Sequence, residues 1–148
     1  MGNGIVSPKS KTLITITTSA DDDSIAAAQT LGGAGDMTLA GTASSFADAG
    51  VGLFVTITGD GGTNLTGVNF TITGTNALGI SASEVLAGPN GAATVTSTLK
   101  YNTVTQIAVS GGTTTAVRAG NAAGSGGSEQ SIFAGPILVA TPFINFCT

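Results

Sequence analysis

The sequence lacks the residues on which most catalytic and metal sites depend. Its 148 residues include no histidine, no tryptophan, one cysteine and one tyrosine. Without histidine, a serine or cysteine nucleophile has no usual base, and zinc loses its commonest ligands. Cys147 alone cannot build an internal disulfide framework. We therefore expect no enzyme activity, no catalytic residues, no cofactor and no bound metal.

Charged residues are also scarce. Lys, Arg, Asp and Glu together make up 8% of the chain, against roughly a quarter in ordinary soluble proteins. Four basic residues are too few to neutralise phosphates or to bind an anionic bilayer, so we expect neither nucleic acid nor membrane as a partner. A surface of Thr, Ser, Ala and Gly repels itself little, which suits a subunit that packs against its neighbours.

Long apolar runs are missing as well. No stretch approaches the roughly 18 apolar residues of a membrane helix. The N-terminal segment has no apolar core of signal-peptide length. The sequence therefore predicts neither a membrane span nor secretion.

The few carboxylates are the remaining candidates for chemistry. A glycosidase needs two of them across a cleft, but most lie in predicted turns, where Asp is common for local reasons. The run Asp21–Asp23 offers oxygen ligands for Ca²⁺ but lacks the spacing of a calcium loop, so a solvated turn is the preferred interpretation. The full set is Asp21, Asp22, Asp23, Asp36, Asp48, Asp60, Glu84 and Glu129.

What the sequence does contain is a series of short Thr- and Val-rich runs between Gly-rich turns. In the clearest run, Val68, Phe70 and Ile72 share one face and polar residues the other. Such runs at roughly eight-to-twelve-residue spacing are typical of sandwiches. We predict an all-β fold, an antiparallel β-sandwich of immunoglobulin-like or jelly-roll-like type with extended terminal arms. The predicted strands are 13–18, 24–31, 51–58, 68–73, 80–86, 94–99, 104–109 and 115–120.

Three local features carry finer expectations. Residues 24–31 fit a strand better than a short capped helix, because 29–31 and 37–39 bracket a Gly-rich turn like a hairpin. The segment Gly88-Pro89-Asn90-Gly91 predicts a tight turn in which Asn90 tolerates the left-handed region. In the run 94–99, alternation places Val95 and Leu99 opposite the threonines.

The ends of the chain differ from its middle. We predict an N-terminal arm (1–11), a sandwich domain (12–120), a Gly/Ser linker or loop (121–130) and an apolar C-terminal strand or arm (131–148). The prolines at 136 and 142 exclude a helix from the last segment. It either closes its own domain as an edge strand or docks on a neighbouring subunit. The predicted inter-subunit contacts are Ile5, Val6, Ile132, Phe133, Ile137, Leu138, Val139, Phe143, Ile144 and Phe146.

Several motifs occur in an order more specific than composition. These are Ile25–Leu31, Gly35–Leu39, Phe54–Thr58, Gly67–Thr75, Glu84, Gly88–Asn90, Thr94–Thr98 and Val104–Ser110. In this order the stretch from about Thr12 to Gly120 resembles a family of tailed-phage virion structural proteins of the head or its decoration. The resemblance brings no catalytic residues.

Composition and resemblance together imply a capsid decoration or cement subunit that stabilises a phage head by bridging major capsid proteins. The expected partners are copies of itself, with a trimer as one option, and the major capsid protein. The expected location is the virion head, after synthesis in the host bacterial cytoplasm. The alternative is a neck, tail or fibre component. A carbohydrate-binding module would need exposed aromatic side chains.

Overall fold

The computed structural model describes residues 19–40 and 52–123, and every regular element within these ranges is a β-strand. The extended conformation of Asp21–Gln29 confirms a strand, not a helix, for residues 24–29 of the predicted run 24–31. Among the described residues, no helix is long and apolar enough to cross a membrane. The strands are β1 (Asp21–Gln29), β2 (Gly35–Asp36), β3 (Leu53–Gly59), β4 (Asn69–Thr75), β5 (Ser81–Ala87), β6 (Thr94–Tyr101), β7 (Thr103–Val109) and β8 (Val117–Asn121).

The strands form two antiparallel four-stranded sheets. The first sheet has the order β1-β8-β3-β6 and the second the order β2-β7-β4-β5. Their apolar faces enclose one core, so the predicted all-β antiparallel sandwich is confirmed. The strand predicted at 13–18 and the predicted terminal arms lie outside the described residues.

The core forms where the alternating apolar faces of the two sheets meet. In β4, Phe70 and Ile72 are fully buried, as the alternation predicts, and Val55 and Ile57 of β3 are buried in the opposite sheet. The hydroxyl of buried Tyr101 donates to the carbonyl of Ile72 at 3.5 Å. Burial raises the pKa of Tyr101 to about 12. The hydroxyl therefore stays protonated and can donate across the core.

The chain crosses from one sheet to the other between β1 and β2. The predicted hairpin of 29–31 with 37–39 is wrong, because β1 pairs with β8 and β2 pairs with β7. The intervening Gly-rich segment is a connection between sheets. No hairpin ladder joins the two segments, but the Gln29 side chain hydrogen-bonds the backbone of Thr38. Its Nε2 donates to the Thr38 carbonyl at 3.1 Å, and its Oε1 accepts from the Thr38 N–H at 2.9 Å.

Two turns place a glycine in the left-handed region. Gly79 has a φ of 75° between β4 and β5, and Gly91 has a φ of 65° between β5 and β6. The tight turn predicted before β6 is therefore present. Its left-handed residue is Gly91 and not Asn90, since glycine has no Cβ to oppose that conformation. Asn90 instead forms an isolated bridge with Asn64.

The middle of β6 departs from simple alternation. Across this region β3 advances by two residues while β6 advances by four, which produces a bulge. The Ser97 hydroxyl lies in the bulge, accepts from the Val55 N–H at 2.9 Å and donates to the Leu99 carbonyl at 2.8 Å. Val95 packs against the core, but Leu99 is 41% exposed. The shared face predicted for Val95 and Leu99 therefore ends at the bulge.

The beginning of β1 passes over the outer face of the first sheet. Between its first two paired positions, β1 has three more residues than β8. A Cβ on Gly120 would collide with the backbone of Asp21 and Asp22, so the two chain segments approach closely at this glycine. Thr56 of β3 pairs with Gly120 of β8, and its side chain is buried on this face. Its hydroxyl has no hydrogen-bond partner in the described part of the chain.

Two buried threonines provide a matched test of this packing. Replacing Thr56 by valine removes a buried hydroxyl without a partner, so we expect the free energy of unfolding to rise by about 1 kcal/mol. Thr113 is equally buried, but its Oγ1 accepts from the Leu31 N–H at 2.9 Å. Thr113→Val should therefore lower the same free energy by about 1 kcal/mol. Urea unfolding of both variants measures the difference, and equal effects would contradict this account.

Candidate interaction surface

The residues predicted from the sequence to contact other subunits all lie outside the described residues. Ile5 and Val6 precede residue 19, and the apolar set from Ile132 to Phe146 follows residue 123. Their role stays a prediction. The candidate surface of the described part lies elsewhere, on the second sheet.

The acidic run at the start of β1 forms an exposed cluster beside an arginine. Carboxylate oxygens of Asp21, Asp22 and Asp23 lie within 4.8 Å of one another. Arg118 Nε lies 3.0 Å from Asp22 Oδ2 without hydrogen-bond alignment, and Arg118 Nη2 lies 2.7 Å from Asp60 Oδ1. A side-chain hydrogen bond to Asp21, together with the negative charge of Asp21, raises the pKa of Asp23. The run is thus exposed to solvent, as expected, but it belongs to a bulged strand and not to a turn, and Arg118 supplies a positive charge beside it.

Glu84 is the carboxylate that joins the two sheets. Its oxygens accept from the Thr98 N–H at 2.9 and 3.0 Å, from the Thr98 hydroxyl at 2.9 Å and from the Leu99 N–H at 3.0 Å. Burial raises the pKa of Glu84, but the hydrogen bonds outweigh burial and the net pKa lies below the ordinary 4.5. The side chain therefore satisfies the N–H groups of the β6 bulge from the neighbouring edge strand β5.

The four edges of the two sheets are not equally protected against pairing with another chain. Three have features that hinder such pairing. Strand β2 has only two residues, β1 has register shifts and the acidic run, and β6 has the bulge closed by Glu84. Strand β5 pairs with β4 without a register shift over all seven residues. It contains no Lys, Arg or Pro, and its one charge, Glu84, is turned towards β6.

Comparisons with protein-family models, curated proteins and solved structures give no match. The resemblance to tailed-phage virion proteins therefore stays a prediction.

Large apolar side chains are exposed on and next to β5. Leu78 is 82% and Ile80 is 58% exposed in the turn before this strand, and Val85 is 60% exposed within it. The turn is held by Asn76, whose Oδ1 accepts from the Leu78 N–H at 2.9 Å and the Ile80 N–H at 3.0 Å. These apolar residues are therefore presented on an ordered turn. In the sequence, Ile80 and Val85 belong to the predicted strand 80–86 and Leu78 precedes it, so no local signal marks these residues as exposed.

The outer face of the second sheet is nearly free of charge. Among its described residues the one charged side chain is Asp36, which accepts from Gln106 Nε2 at 3.0 and 3.1 Å. The face is otherwise made of small polar and apolar side chains, so a partner would displace water at little electrostatic cost. Its residues on β4 and β5 are Asn69, Thr71, Thr73, Thr75, Ser81, Ser83, Val85 and Ala87.

Proposed function

We propose that this chain is a non-enzymatic structural subunit of a virus particle, which decorates and cements the head of a tailed phage. In this role it packs against copies of itself and bridges major capsid proteins. It is made in the cytoplasm of the bacterial host and then belongs to the virion head. No step of this function requires a cofactor or a metal.

One observation supports the proposal most directly. The second sheet combines an outer face of Thr, Ser and Ala side chains, an unprotected edge strand β5 and exposed Leu78, Ile80 and Val85. Soluble monomers normally avoid a long regular edge without proline or an outward-facing charge, because such an edge recruits other strands. A subunit that is covered by neighbours in an assembly has no such constraint.

The mechanism is the burial of surface, repeated over many copies. A standard protein interface buries roughly 1,600 Å². A neutral face needs little desolvation of charge, so a modest contact is stabilising. Many modest contacts between linked neighbours strengthen one another through effective concentration. A shell held in this way resists outward pressure without any single strong bond.

A carbohydrate-binding module receives no support from the described aromatic residues. Phe70 and Tyr101 are fully buried. The ring of Phe54 is covered by Lys100, whose Nζ lies 5.1 Å from the ring centroid. Sugar-binding faces use exposed rings as stacking platforms, and none of these three rings provides one.

The test is to locate the protein on purified phage particles. Antibodies against the full chain, visualised by gold labelling in the electron microscope, should decorate the whole head. Mass spectrometry of the same particles should give a copy number comparable with that of the major capsid protein. Label confined to the neck, tail or fibres would support the alternative virion location. Particles that contain none of the chain would overturn the proposal.

A further inference from the structure

We infer that β5 is a homotypic edge, through which two copies of the chain pair as antiparallel strands and join their second sheets into one. This inference rests on the assembly part of the proposed function and assigns it to a surface. The juxtaposition that carries it is a regular edge, Ser81 to Ala87, whose one charge, Glu84, is turned towards β6, with exposed Val85 on the edge and exposed Ile80 just before it.

The edge of β5 is ready to accept a strand. Its ladder with β4 is unbroken from the pair Asn69–Ala87 to the pair Thr75–Ser81. Its outer side is not hydrogen-bonded to any other described strand, because β5 is last in the sheet order. The hydrogen bonds to β6 are made by the Glu84 side chain, which accepts from N–H groups of β6. They do not involve the N–H groups of β5 that point away from β4, and no other described strand pairs with these.

A second copy of the chain is the occupant that fits this edge. A twofold axis perpendicular to the sheet places the same strand beside itself in antiparallel orientation, so the edge is self-complementary. No side chain on the outward face of β5 carries a charge, and therefore no repulsion opposes the pairing. In a register centred on Ser83, Ile80 lies opposite Leu86 of the other copy, which is half-buried.

The symmetry restricts the register to a few choices. Directly opposed residues of an antiparallel pair lie on the same face, so the twofold axis passes beside a residue and not between two residues. The registers that pair most of β5 have the axis at Ser83, Glu84 or Val85. A centre at Glu84 opposes two identical carboxylates, which is destabilising. We therefore expect the pair to be centred on Ser83 or on Val85. Either centre pairs five of the seven β5 residues of each copy. So short a contact buries less than the roughly 1,200 Å² of a standard interface, so the dimer should be reversible.

The first experiment adds like charges to the edge of the full chain. In Ser83→Lys/Val85→Lys, two lysines of different copies oppose each other in each of the three registers. Sedimentation velocity over a concentration series should show a dimer of the wild type. For the double variant the dissociation constant should increase about tenfold or more. The matched control Ala92→Lys/Thr114→Lys adds the same charge at exposed positions outside β5 and should dimerise like the wild type.

The second experiment reads the register without relying on the lysines. In a Cys147→Ser background, Ser83→Cys or Val85→Cys should form a disulfide-linked dimer on mild oxidation. Directly opposed residues in an antiparallel pair lie at Cα separations that a disulfide can bridge. Thr114→Cys, exposed in the loop between β7 and β8, should not crosslink under the same conditions.

The outcomes separate this inference from the proposed function. Dimers weakened only by the β5 lysines, with crosslinks at position 83 or 85, support the homotypic edge. Equal dimerisation of all variants overturns it while leaving assembly through another surface. A wild type that is monomeric throughout the series, with no crosslink in the Ser83→Cys and Val85→Cys variants, also overturns it. Gold labelling of particles decides the virion role independently of each result.

Discussion

Replacing Gly74 by alanine should lower the free energy of unfolding by about 3 kcal/mol. Gly74 lies in β4 opposite Val104, where Thr105 forms a bulge in β7. A Cβ at this position would collide with the carbonyl of Thr103 and approach the Val104 Cα to 3.1 Å. Because the obstacle is backbone of a paired strand, no rotamer change can relieve it. Urea unfolding of the variant, monitored by circular dichroism, measures the loss.

A glycine in open space is the control for this prediction. Gly67 lies in the turn before β4 and has no atom within 4 Å of an added Cβ. It is not in the left-handed region, so alanine there should change the free energy of unfolding by less than about 1 kcal/mol. If Gly74→Ala were as mild as Gly67→Ala, the close approach of β4 and β7 would be wrong.

Removing the Glu84 carboxylate should have the second largest effect. Glu84→Ala leaves the Thr98 and Leu99 N–H groups of the bulge without their acceptor. Charge-assisted hydrogen bonds of this kind are stronger than neutral ones, but the site is partly exposed. We expect the free energy of unfolding to decrease by about 2 kcal/mol. Glu84→Gln keeps one acceptor oxygen and should lose less.

The control for Glu84 is another carboxylate that bonds a single side chain. Among the described residues Asp36 accepts from Gln106 alone, and both residues are exposed. Asp36→Ala should therefore cost less than about 0.5 kcal/mol. If both alanine variants lost the same stability, the Glu84 contacts would not join the sheets as described.

The Glu84 prediction also has a pH dependence with a definite sign. Because hydrogen bonding lowers its pKa below 4.5 in the folded state, the carboxylate stabilises the fold above that pH. Its contribution is lost as the pH falls through the lowered pKa. The stability difference between wild type and Glu84→Gln should shrink when urea unfolding is repeated at about pH 3 instead of about pH 7. A difference that grows on acidification would contradict the assignment.

The part of the fold that follows from local pattern is predictable from the sequence. β4 alternates because one face packs on the core, and its apolar residues are buried as expected. The pairing of β1 with β8 and of β2 with β7 joins residues far apart in the chain. No local signal specifies such pairing, so a Gly-rich connection between sheets resembled a hairpin turn.

The candidate site was less predictable for a physical reason. The role of Glu84 depends on the two extra residues in β6, and a bulge has no signature in a run of alternating threonines. The same bulge turns Leu99 outward. The distinctive property of β5 is only evident by comparison with the other edges, which requires the sheet order. Ile80 lies in the predicted strand 80–86 and Leu78 just before it, and the sequence pattern alone does not show that both are exposed.

The position of β8 has a cost during translation. The second sheet can close once β7 has left the ribosome, but the first sheet has a gap between β1 and β3 until Val117–Asn121 follows. Until then the edges of β1 and β3 that pair with β8 have no partner strand. Long-range β-pairing of this kind is slow and exposes nascent chains to one another. Nascent chains on neighbouring ribosomes of one messenger RNA can therefore pair wrongly through these edges before β8 has been synthesised.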